Sequence, residues 1–166
     1  MNSEYFPDFL IGPEAMKYFE LGYKNQLAGN LDRAVDFYKK SLEIEVSAEG
    51  HTFLGWTYSF MNKYEEAIAE CHKAIKVDPD FGNPYNDIGS YYISLAKFKE
   101  AIPWLKKAKK SKRYANPEFP YVNLGKVYEI KGLLQKAITE FKGALKINPD
   151  YTHAKFALAR LEAYLN

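Results

Sequence analysis

Tyr18-Phe-Glu-Leu-Gly22, His51-Thr-Phe-Leu-Gly55, Tyr85-Asn-Asp-Ile-Gly89 and Tyr121-Val-Asn-Leu-Gly125 are four versions of one five-residue phrase, with glycines 33, 34 and 36 residues apart. Twelve residues beyond each glycine stands an alanine: Ala34, Ala67, Ala101 and Ala137. Seven further on stands another small residue: Ser41, Ala74, Ala108 and Ala144. Pro79 and Pro149 close the second and fourth units. Self-similarity at such a period signals stacked supersecondary units that share one continuous core.

Each unit reads as two helices. With position 1 set seven residues before the glycine, positions 4, 7, 8 and 11 are apolar or small, which is one helical face. A second run follows at positions 17, 20, 21, 24, 27 and 28, as in Leu31, Ala34, Val35, Tyr38, Ser41 and Leu42. Gly29-Asn30, Asn62-Lys63, Ala96-Lys97 and Lys131-Gly132 lie between the runs and predict the reversals, since Gly and Asn tolerate the backbone a tight turn needs. Small residues at positions 8, 20 and 27 let two helices approach to the short end of their ~8–10 Å range. Pro103 lies inside the third unit's second helix and predicts a kink or a start delayed to near Lys99, because it lacks a donor.

These residues resemble the tetratricopeptide repeat (TPR) family, whose pattern runs Leu-Gly, aromatic, Ala, aromatic, Ala, Pro over 34 residues. The resemblance covers 15–151 as four repeats at 15–48, 48–81, 82–115 and 118–151, with 1–14 as an N-terminal arm and 152–166 as a capping helix. It implies an all-α, right-handed α-solenoid of nine helices. The departures are Asn25 for an aromatic, Val46 and Arg113 for the closing proline, and Cys71 and Leu105 for aromatics. The end helix, with Phe156, Leu158, Leu161 and Leu165, predicts a cover for the last stacking face.

In TPR proteins the first helices line a concave groove for an extended peptide or a partner helix. Positions 2, 5, 6, 9, 12 and 13 point away from the packed face, so they predict that lining. Phe19, Tyr23, Phe53, Trp56 and Phe60 then form an aromatic stretch in the first two repeats. Asn86 and Asp87 give the third a polar band, and Asn123 takes the place of an asparagine that holds peptide backbone in several TPR families. These eight are the candidate partner-binding residues. Three occupants can cover the rings: the arm itself through Tyr5, Phe6 and Phe9, a second copy, or a client peptide. Curvature that packs the rings against neighbouring helices is the alternative. The carboxylate clamp of heat-shock co-chaperones is not matched in either frame. Its places hold Phe19, Tyr23, Phe53, Asn83 and Asp87, or Thr52, Trp56, Asp87, Phe119 and Asn123, with no cation among them.

Charge is divided unevenly. Residues 1–81 hold 8 Lys/Arg against 14 Asp/Glu and residues 82–166 hold 15 against 7, within a net charge of +2. Six cations in 106–113 raise nucleic-acid association as an alternative function. The reading preferred here is a solvated outer face whose lysines complement a helix C-terminus. No phosphate loop, nucleophile elbow, zinc-protease motif or Cys-x-x-Cys occurs, so neither an enzyme nor a cofactor is expected. Cys71 is alone and falls on an inward position, which predicts a small core residue. With 47% apolar residues, no membrane-length run and no signal-like opening, the expectation is a cytoplasmic binding module with a protein or peptide partner, or a homo-oligomer.

Overall fold

The computed structural model describes residues 9–165. Among them are nine α-helices: α1 Pro13–Leu27, α2 Leu31–Ile44, α3 Ala48–Phe60, α4 Tyr64–Val77, α5 Asn83–Ser94, α6 Phe98–Ala108, α7 Phe119–Ile130, α8 Leu134–Ile147 and α9 Thr152–Leu165. They form four antiparallel hairpins, α1/α2 to α7/α8, stacked in chain order, with α9 laid against α8. First helices also touch one another, α1 to α3, α3 to α5 and α5 to α7. This is the all-α solenoid the repeats predict.

The small residues do the work that their spacing implies. A methyl at Gly55 would lie 2.9 Å from the Ala67 carbonyl oxygen, and one at Gly125 would strike the Phe141 ring at 2.7 Å. Ala34, Ala67, Ala101 and Ala137 are all fully buried, as are Ser41, Ala74 and Ala144. The reversals use left-handed backbone at Gly29, Asn62, Ala96 and Gly132 (φ 77°, 60°, 55° and 71°). Ala96 is the strained member, since a Cβ disfavours that region. Ser47 caps α3 by accepting from the Gly50 N–H at 3.1 Å.

Pro103 does not delay its helix. α6 begins at Phe98, four residues after α5 ends, the same offset as in the other hairpins. The helix is instead short, ending at Ala108, and Lys109–Arg113 lie beyond it. The chain then turns back: the Arg113 N–H donates to the Asp80 carbonyl at 3.0 Å and the Gly82 N–H to the Arg113 carbonyl at 2.8 Å. Phe81 and Arg113 thus form a two-residue bridge between the ends of the second and third hairpins.

Candidate functional site

The aromatic stretch splits in two. Phe19 and Phe53 are buried, against the expectation that they stand open as anchors. Their rings meet edge to face at 4.9 Å, and Phe9 packs on them at 5.6 and 5.7 Å. The reason is inter-repeat geometry: the position-5 residues Phe19, Thr52, Asn86 and Val122 are all buried, and Phe53, at position 6 of the second repeat, packs on Phe19 of the first. Tyr23 is half-buried against Phe53. The outward rings are Trp56, 40% exposed, and Phe60, 52% exposed, tilted against each other with centroids 5.5 Å apart. The Phe9 part of the arm-as-plug alternative is therefore observed, whereas Tyr5 and Phe6 lie outside the described residues.

Carboxylates fasten the arm. The Leu10 N–H donates to Glu49 Oε1 at 3.1 Å and the Gly12 N–H to Glu45 Oε2 at 2.7 Å. Glu49 also accepts from Arg113 Nη1 at 2.8 Å, and Arg113 Nε and Nη2 reach Asp78 Oδ2 at 2.9 and 2.6 Å. The guanidinium lies over the Phe81 ring at 4.1 Å. Burial raises the Asp78 carboxyl, but the hydrogen bonds from Arg113 and the backbone outweigh it and hold the group below the usual carboxylate range. An open cleft of about 930 Å³ separates the arm from Lys112–Ala115. Asn83 lines it, and its Oδ1 is buried without a hydrogen-bond partner among the described residues.

The polar band is more inward than expected. Asn86 is buried, and Asn123 Nδ2 donates to its Oδ1 at 3.0 Å. One hydrogen bond therefore joins the two amides across α5 and α7. Beside them, burial pushes the Asp87 carboxyl up to about 7 against an opposing hydrogen bond from Asn86. Cys71 is fully buried, and desolvation, with Asp87 and Glu70 nearby, raises its thiol well above the ordinary value. No group of three metal-ligating side chains converges among the described residues.

The cationic run is largely consumed by the fold. Lys109 pairs with Glu140 at 2.8 Å and covers the Tyr121 ring at 3.9 Å. Lys107 lies over Trp104, Lys112 reaches Asp80, and Arg113 holds Asp78 and Glu49. A helix spanning 106–113 as a basic stripe is not what forms, because α6 stops at Ala108.

Comparison with known proteins agrees with this architecture. Two tetratricopeptide repeat models match residues 48–81 and residues 83–114 with 120–151. The chain belongs to the tetratricopeptide repeat family. It is 30% identical over 101 residues to the bovine (Bos taurus) protein named BBSome complex member BBS4, a match spanning 61% of this chain and 19% of that one. Among solved structures it resembles Pseudomonas aeruginosa pilF (TM-score 0.82, 24% identity, 89% of this chain and 67% of that one). It also resembles the MamA protein (TM-score 0.72, 26% identity, 89% and 80%). No helix among the described residues is long and apolar enough to cross a membrane.

Proposed function

We propose that this chain is a non-catalytic protein-interaction module whose concave face takes a peptide or a partner protein. The family supports an interaction scaffold, and the bovine relative is by name a member of a complex. The chain spans less than a fifth of that relative's length, so the partner is argued from this surface alone. The observation that carries the reading is the pair Trp56 and Phe60. Two large rings remain open on a first helix whose other aromatics, Phe53 and Tyr58, are buried and half-buried. Partly exposed aromatics of this kind act as anchors because they bury much apolar area with few rotatable bonds.

Trp56 and Phe60 serve as anchors with Tyr23 at their flank. Asp87 and the Asn86–Asn123 pair give the neighbouring polar floor. Phe19 and Phe53 support the anchors from beneath. The test is peptide-array capture by the full chain, by Trp56→Ala plus Tyr23→Ala, and by the outer-face control Lys146→Ala. Loss of capture only in the double variant, with its helical signal retained, supports the groove. Capture equal to wild type rejects it.

A further inference from the structure

The last residues of the first helices share a feature. α1 ends at Leu27, α3 at Phe60, α5 at Ser94 and α7 at Ile130. The corresponding place on α9 is Tyr164. Leu27, Phe60, Ile130 and Tyr164 are 69%, 52%, 59% and 77% exposed, and Ser94 is exposed too. Because α1, α3, α5 and α7 touch one another in order, the ends of these four helices form a row along one rim of the concave face. An ion pair between Arg160 and Glu129, at 2.6 Å, carries the row from α7 to α9.

The turns beside this row are cationic. Between first and second helices the chain has Lys63, Lys97 and Lys131 in three of the four hairpins, and no carboxylate in any. Lys63 and Lys97 stand at the N-caps of α4 and α6. Stability favours Ser, Thr, Asp or Asn there, and the helix dipole opposes a cation. Glu65, Glu66 and Glu100 in the first turns offset part of that field, while α8 has no such acid.

We propose that this rim binds an acidic peptide segment in the polyproline II conformation, with an apolar side chain at every third residue. The proposal rests on the interaction reading above and specifies its ligand. Packed helices lie ~8–10 Å apart, and a polyproline II chain returns to the same face every three residues, or ~9 Å. A β-strand repeats its face at about 7 Å and falls out of register after one step. Apolar residues sit over Leu27, Phe60, Ile130 and Tyr164, a small residue passes Ser94, and carboxylates between them meet the turn lysines.

The probe is a labelled 13-residue peptide with Leu at positions 1, 4, 10 and 13, Ser at 7, and Asp, Glu and Pro elsewhere. Its binding to the full chain is followed by fluorescence anisotropy. A peptide of the same composition with Leu at alternate positions binds about tenfold more weakly, as does one with Lys for every acid. Ile130→Ser weakens binding about fivefold. Ser94→Leu makes the chain prefer a peptide carrying Ala at 7 to one carrying Leu there, because the gap is filled. Both altered positions, Ile130 and Ser94, are exposed, and circular dichroism checks that the fold is retained. Equal binding of the two registers, equal binding of the lysine peptide, no effect of Ile130→Ser, or no binding at all would overturn the proposal. If Trp56→Ala plus Tyr23→Ala abolishes array capture while Ile130→Ser does not, the groove stands and the rim assignment fails.

Discussion

Arg113 Nη1 meets Glu49 Oε1 at 2.8 Å across 64 positions of sequence, and the same carboxylate oxygen accepts the Leu10 N–H. Glu49 is 1% exposed in its side chain, whereas Arg113 keeps 28%. One buried charge therefore holds together the arm, the second hairpin and the close of the third. Removing the cation from such a pair leaves an uncompensated buried charge.

Arg113→Ala is expected to cost about 2–3 kcal/mol of unfolding free energy, toward the low end for a buried pair because the guanidinium is partly solvated. Urea titration measures it. Adding Glu49→Gln to Arg113→Ala recovers part of the loss, because the charge left behind is gone. A double variant less stable than the sum of the singles contradicts this account.

Asp87 gives a pH signature. Its carboxyl, normally near 4, is pushed up to about 7 in the fold by burial. Between those values the folded chain holds a proton that the unfolded chain releases, so stability falls as pH rises across that window. Asp87→Asn flattens the slope from pH 5 to 7 and raises stability at pH 8 by about 2 kcal/mol, read by denaturant midpoints. Burial also raises the Glu70 carboxyl, but hydrogen bonds from His51 and Lys73 prevail and lower it overall. Glu70 and Asp78 thus lose their contribution only as pH falls below about 4, outside the Asp87 window.

Gly55→Ala is expected to destabilise by about 2–3 kcal/mol. The added methyl meets the backbone oxygen of Ala67 at 2.9 Å, an atom that cannot swing aside as a side chain would. Thermal unfolding reports it. Gly22→Ala, whose methyl would meet the buried Tyr38 ring at 2.8 Å, is expected to cost a comparable amount.

Ala96→Gly works in the opposite direction. At φ 55° the alanine carries left-handed strain in the α5–α6 turn, and glycine relieves about 0.5–1 kcal/mol of it after its own entropic cost. A raised melting temperature is the expected result. Unchanged or lower stability would show the strain to be negligible.

The hairpins were legible because close helix packing demands small residues at fixed intervals, and Gly22, Gly55, Gly89 and Gly125 with their partner alanines meet that demand locally. The lining was less legible. Helical periodicity separates the face toward the second helix from everything else, but it cannot tell a side facing the next repeat from one facing solvent. Phe19 and Phe53 look the same as Trp56 and Phe60 on that test, yet the first pair is sealed and the second is open. Arg113 read as one cation in a run because its carboxylates lie 35 and 64 positions away. Pro103 left the start of α6 unmoved. The row of last-turn residues had a signal, the recurrence of Leu27, Phe60, Ile130 and Tyr164 at one repeat position. It takes meaning only once the first helices are known to lie side by side.

The shared carboxylate at Glu49 also bears on mechanics. A plain stack of hairpins would peel one unit at a time when its ends are drawn apart. Here the arm and the close of the third hairpin are moored to the same oxygen, so the first three hairpins should yield to tension as one block. The fourth hairpin and α9 would slip first, leaving the aromatic end intact under load.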